Sequence, residues 1–446
     1  MTTVAALAAD LAAGRTTSRA LVEDALARIA DPSGEGARIF LKVYAETARI
    51  EADHADRLRR AGVVRSPVDG LPISVKDLYD VGGDVTRAGS QVLARAAPAQ
   101  ADAPAVARLR AAGAVLLGRT NMVEFAFGGL GLNPHYGTPK NAWDRRTGRV
   151  PGGSSSGAGV AVADGIGVMG LGSDTRGSVR VPAAFNGVVG FKPTARRIPR
   201  DGAFPLSYTL DSVGPLARSV ACCAVYDAIL AGDAPAPLAH WPARGLRLMV
   251  PKSTLLEDLD ADVSREFARA LTRLSAAGAA IVEVPVPAFD RQDVYFKGGG
   301  FAGAEAVAIH RPWADRIAEY DPRVGKRIAL GAAMSGADYV ELGLVRAVFI
   351  REIEALAAPY DAILMPTAAC VAPTLAEVDA SDDAYFKWNM RALRNCGILN
   401  FLDGCAITLP CHAPGDAPVG LAVCGTAMSD RRTLAVAAAI ERALAQ

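Results

Sequence analysis

The chain has 446 residues, of which 51% are apolar, with 48 Lys and Arg against 47 Asp and Glu and a net charge of +1. Both signs are spread along its length, which excludes a nucleic-acid-binding face or an acidic tail and points to a small-molecule partner. No run of about 18 uninterrupted apolar residues occurs, so no transmembrane helix is expected, and the length suits either two or three average domains or one large α/β fold.

Val4, Leu7, Ala8 and Leu11 fall at helical spacing, and after a break at residues 14–18 the pattern resumes through Leu21, Val22, Ala25, Leu26 and Ile29. Two short helices open the chain. The start lacks a basic region and its apolar residues are interrupted at Asp10, unlike a secretory signal. Residues 39–44 read as a strand and 47–60 as a charged helix that Gly62 ends. Pro67, Gly70 and Pro72 then punctuate a turn before the apolar segment 73–77, which carries Lys76 near its end. Taken alone, such a lysine reads as a strand-end residue snorkelling to water. Residues 106–118 give a helix and a strand, 121–128 begin a short helix with Phe125 and Phe127, and 131–139 form a rigid loop.

Residues 152–180 are different in kind. Two glycine-rich turns, one carrying Ser154 and the other Ser178, flank a small apolar run at 158–163 and an apolar segment at 167–171. The run reads as a buried helix and the segment as a short buried strand, and if they fold back on each other the two serines meet. A serine hydroxyl needs a base within hydrogen-bond reach. The five histidines, at 54, 135, 240, 310 and 412, all lie outside this stretch, so a Ser-His-Asp site is not supported. A lysine can serve once burial lowers its pKa of about 10.4 by roughly 3 units, and Lys76 is the candidate.

Downstream, residues 219–230 read as a helix and 232–237 as the best linker-like segment. Strands follow at 246–250, 280–284, 362–365, 406–409 and 419–423, with helices at 263–276, within 321–334 and 337–357, and at 431–444. The alternation predicts a layered α/β architecture with a largely parallel sheet. The seven cysteines form no CxxC pair and are odd in number, which argues for a reducing, cytoplasmic location. No histidine-carboxylate or cysteine cluster has ligand spacing, so neither a metal nor a cofactor is expected.

Residues 153–157 also satisfy GxSxG, which would make Ser155 the nucleophile of an α/β-hydrolase elbow. That motif needs a strand immediately before it, whereas residues 141–151 are polar and end in proline. A phosphate-cradling loop would need GxxxxGK[ST] after a strand, and neither is present.

The stretch 152–180 resembles the signature region of the amidase signature family: a Gly-Gly-Ser-Ser-Ser/Gly-Gly turn, a helix, then Gly-Thr/Ser-Asp-x-x-Gly-Ser-x-Arg. The resemblance extends to Gly70-Leu-Pro-Ile-Ser-Val-Lys-Asp77, Pro182-Ala-Ala-Phe-Asn-Gly187, Gly190-Phe-Lys-Pro-Thr194 and Leu210-Asp-Ser-Val-Gly-Pro-Leu216. It implies one amidase domain over residues 1–446, with its signature core at about 65–232 and the part 245–446 completing the same mixed, largely parallel sheet under helices on both faces. It further implies a triad of Lys76, a cis-peptide Ser154 and nucleophilic Ser178, cleaving a small amide through an acyl-serine. Backbone N–H groups of Thr175, Arg176, Gly177 and Ser178 would form the oxyanion hole, with Ser155, Asp174 and Arg180 supporting the turn and Ala126 and Phe127 in the substrate pocket.

Arg176 departs from the small residue the family often has there. Its side chain either faces the pocket and selects an acidic substrate or pairs outward with a carboxylate. Alternatives to a stand-alone amidase are the glutamine-hydrolysing subunit of a tRNA-dependent transamidation complex and an inactive member of the fold. The segment Asn395-Cys-Gly-Ile-Leu-Asn-Phe-Leu-Asp-Gly-Cys-Ala-Ile-Thr-Leu-Pro410 does not closely resemble that subunit's Leu-Ala-Gly-Leu-Pro stretch. No membrane partner is expected, and a homodimer is compatible with the sequence.

Overall fold

The computed structural model describes residues 2–445. Eleven strands join one sheet: β1 (Phe40–Val43), β2 (Pro72–Lys76), β3 (Val115–Thr120), β4 (Met169–Asp174), β5 (Val189–Lys192), β6 (Ser212–Ala217), β7 (Arg247–Lys252), β8 (Ala280–Pro285), β9 (Ala362–Pro366), β10 (Cys405–Pro410) and β11 (Gly420–Gly425). Their spatial order is β1-β3-β2-β4-β6-β5-β10-β11-β9-β7-β8. Strands from both sides of the linker-like segment share the sheet, because β5 pairs with β10.

Alternation along the strands shows why both faces must be covered. In β10, Ile407 and Leu409 enter one apolar core while Ala406 enters another; in β11, Leu421 and Val423 go one way and Ala422 and Cys424 the other. Successive side chains of a strand point to opposite faces, so burial of both sets requires helices above and below. The helix Asp430–Leu444 packs on β10 and β11 and against the helix Val220–Ala231. No single helix among the described residues is long and apolar enough to cross a membrane.

The sheet is mixed, as expected, but it is not largely parallel. Parallel pairing is confined to β3-β2-β4 and to β9-β7-β8, and the other six neighbouring pairs are antiparallel. The overlooked strands β5 and β6 account for much of the difference. Gly190 with Pro193 beside β5, and Gly214 with Pro215 inside β6, interrupt the apolar runs by which strands are read. Both run antiparallel to all of their neighbours at the centre of the sheet.

Candidate active site

Strand β2 is buried along its whole length and ends in Lys76. It lies between β3 and β4, parallel to both, so its C-terminal end arrives beside the end of β4. There the Lys76 ammonium nitrogen donates to the Ser154 hydroxyl at 2.7 Å and to the Ser173 hydroxyl at 2.9 Å. Burial pushes the Lys76 pKa down to about 7, against the opposing charges of Asp211 and Asp174. A neutral amine is thereby accessible near neutral pH.

Ser154 follows a cis peptide bond from Gly153. Its turn is pinned by the backbone: Gly153 N–H donates to the Gly129 carbonyl at 2.8 Å, Val123 N–H to the Ser154 carbonyl at 3.1 Å, and Ser155 N–H to the Ser178 carbonyl at 3.2 Å. The last bond brings the two serine-bearing turns together. The buried Ser155 hydroxyl donates to the Ser173 carbonyl at 3.4 Å and sits at the start of the helix Ser156–Ala163. No strand precedes it at residues 141–152, where the only sheet-type pairing is a single bridge at Arg149, so the hydrolase-elbow reading lacks its framework.

Gly157 sets how closely this helix approaches the end of β3. A Cβ there would lie 2.6 Å from the Ile39 carbonyl oxygen and 2.8 Å from the Asn121 nitrogen. Both neighbours are backbone and cannot swing away. Gly157→Ala is expected to gain about 1 kcal/mol of helix propensity yet lose more to overpacking, for a net cost of about 1–2 kcal/mol. Urea unfolding checks this, and a raised midpoint would show that the approach is looser.

The second turn, from Asp174 to Arg180, is organised around one carboxylate. Asp174 Oδ1 accepts from Gly177 N–H at 2.7 Å, Arg180 Nη2 at 2.9 Å and Asn400 Nδ2 at 3.0 Å; Oδ2 accepts from Val179 N–H at 3.1 Å and Arg180 Nε at 3.0 Å. Burial alone would raise this carboxyl, but the Arg180 charge and its hydrogen bonds hold it well below the usual carboxylate range. Gly177 must therefore be removed from the expected oxyanion donors: its N–H is engaged by Asp174. No hydrogen bond among the described residues engages the N–H of Thr175, Arg176 or Ser178.

A cavity of roughly 530 Å³ opens beside these turns, lined in part by Ala126, Ser173, Thr175 and Asp211. Phe127 does not line it; its ring lies under the Arg327 guanidinium. Arg176 does not pair outward with a carboxylate but lies over the ring of Phe296. Sequence reading missed Ser173, the second acceptor of Lys76, although it lies inside the signature. It also missed Asn400, whose Oδ1 accepts from Arg180 at 2.6 Å, and Asp211, which accepts from the Thr175 hydroxyl at 2.5 Å. Both stand in motifs read for resemblance alone.

Comparison with known proteins gives a consistent picture. The amidase family model matches residues 20–434. A 2-amino-5-chloromuconic acid deaminase from Comamonas testosteroni is 38% identical over 409 residues, 90% of this chain and 87% of that one. A glutamyl-tRNA(Gln) amidotransferase subunit from Chloroflexus aggregans is 33% identical, covering 99% of this chain and 96% of that one. A solved structure described as an amidase superposes with a TM-score of 0.88 at 35% identity, covering 99% of each chain.

Proposed function

The chain belongs to the amidase family, and from that premise we propose that it hydrolyses a small carboxylic amide through an acyl-enzyme on Ser178, with Ser154 and Lys76 as its proton relay. Hydrolysis of carbon-nitrogen bonds is the chemistry of the family members it resembles. The observation that carries the finer reading is the 2.7 Å contact between Lys76, its pKa lowered by burial, and Ser154.

In this mechanism neutral Lys76 takes the Ser154 proton as Ser154 takes that of Ser178. The freed Ser178 oxygen attacks the amide carbonyl. The resulting oxyanion is held by the N–H groups of Thr175, Arg176 and Ser178, with one such donor typically worth about 10²–10³ in rate. The relay then runs backwards, and Ser154 passes a proton to the departing nitrogen, which leaves as ammonia from a primary amide. Water attacks the acyl-Ser178 by the same route and releases the carboxylate. All seven cysteines are free thiols, in keeping with a cytoplasmic enzyme.

A fluorophosphonate probe, followed by peptide mapping, is expected to label Ser178 alone and in one-to-one stoichiometry. Label on Ser155 would move the nucleophile to the elbow position, and an unlabelled folded protein would overturn the acyl-serine mechanism.

The near full-length similarity to a component of a tRNA-dependent amidotransferase supports a second reading, in which the site releases ammonia from glutamine for a partner enzyme. Co-purification of partner proteins at fixed stoichiometry, with glutaminase activity dependent on them, would put that reading first.

A further inference from the structure

The helix Gly336–Ala357 is apolar on two opposite faces, and only one of them meets the rest of the molecule. Leu342, Phe349, Ile353 and Ala357 are buried in the core beneath it. On the far side Val340, Leu344 and Val348 are 63%, 67% and 53% exposed, at the four-residue spacing that keeps side chains on one helix face. A groove of roughly 410 Å³, lined in part by Val294, Met334, Leu342 and Val345, opens against the same helix, and Leu330 on the preceding helix is exposed as well. A helix that is apolar all round is normally covered all round.

The outer face has an internal symmetry. The exposed residues Ala337, Glu341, Leu344, Val348, Arg351 and Ala355 follow one another at steps of four, three, four, three and four, the spacing of a coiled-coil seam. Set against itself in reverse, the series matches Ala with Ala, Glu with Arg and Leu with Val. The ion pairs that flank the helix in sequence join Lys326 to Asp382 and Arg432 to Asp361, and among the described residues none engages Glu341 or Arg351. Against a second helix of the same sequence running antiparallel, each of these charges finds its opposite. A parallel pair would set Glu341 on Glu341, and an antiparallel pair shifted by one heptad would set Glu341 on Leu344 or Arg351 on Val348. A lipid surface calls for basic residues around an apolar stripe, whereas here an acid stands in the seam.

We propose that this face is the contact between two copies of the chain, joined about a two-fold axis that crosses the helix midway between Leu344 and Val348. Such a contact is isologous: where one residue meets another, the second meets the first across the axis. Leu344 of each copy packs on Val348 of the other, a Glu341–Arg351 pair closes the contact on either side, and Ala337 meets Ala355 at the ends. Ala347, exposed beside the seam near the axis, leaves room for the two helices to approach.

Analytical ultracentrifugation of the 446-residue chain is expected to give a dimer at micromolar concentration. Leu344→Lys, which sets a charge on each side of the axis, is expected to leave only monomer. Glu341→Arg and Arg351→Glu each turn two attractions into two repulsions and are expected to weaken the dimer by about 10- to 100-fold, while the two changes together restore it. Circular dichroism checks that the variants fold, and where Leu344→Lys does not, the charge cycle decides. A wild type that stays monomeric at high micromolar concentration, a dimer indifferent to Leu344→Lys, or a double variant as weak as the single ones would overturn the proposal. A monomer that binds phosphatidylglycerol vesicles, and loses them on Leu344→Lys, would assign the face to a lipid surface and overturn it as well.

Discussion

Lys76→Met is expected to lower kcat/KM for a primary amide by about 10²–10⁴-fold, the usual contribution of a positioned general base, and wild-type kcat/KM is expected to rise with pH through about 7. The direction follows from the relay, which needs the neutral amine. The same shift predicts a signature in stability. An unfolded lysine titrates near 10.4 and the folded one near 7, so between these values the unfolded chain holds a proton that the folded chain has lost. Stability therefore rises with pH across that window, and the cost of burying Lys76 is present in full only below it. Removing the amine removes the cost. The stability of Lys76→Met relative to the wild type should be greater at pH 6 than at pH 10 by about 4 kcal/mol, at 1.36 kcal/mol for each pKa unit. Denaturant titrations at the two pH values measure this. A pH-independent difference, or a flat activity profile from pH 6 to 9, would mean that Lys76 keeps its proton and is not the base.

The meeting of Lys76 and Ser154 was legible because the residues that make it are unusual where they stand. A lysine inside a short apolar strand and serines set among glycines are poor choices for ordinary packing. The helix Asp382–Phe401 was not legible. Its core-facing positions include Asn389, Asn395 and Asn400, which break the apolar period by which helices are read. Those asparagines are buried because they serve other backbones: Asn389 accepts from Gly129 N–H, Asn395 donates to the carbonyls of Leu255 and Pro366, and Asn400 donates to the Asp174 carbonyl. Two of the polar residues that hid the helix, Asn389 and Asn400, tie it to the site. Gly177 misled in a related way. A glycine in an oxyanion turn reads as a free donor until the turn's own aspartate is seen to take its N–H.

Asp174→Asn is expected to destabilise the protein by about 3–5 kcal/mol, the range for breaking a buried ion pair from one side. The substitution conserves shape, so the loss is electrostatic. Arg180 is almost wholly inaccessible to solvent and would keep its charge while losing the only carboxylate with which it forms an ion pair among the described residues. An amide in place of the carboxylate also brings an NH₂ group toward donors such as Gly177 N–H, Val179 N–H and Asn400 Nδ2, at least one of which must then go unmet. Replacing both charges, as in Asp174→Asn with Arg180→Met, should cost less than the sum of the single changes, because no unpaired cation is left behind. Unfolding midpoints of the four proteins complete the cycle, and strict additivity would show that the pair is not coupled. The effect should reach the chemistry too. Asp174 holds the N–H groups of Gly177 and Val179 on either side of Ser178, so its loss frees the turn that carries the nucleophile. Near-normal kcat in a folded Asp174→Asn would mean that the turn keeps its shape without the carboxylate.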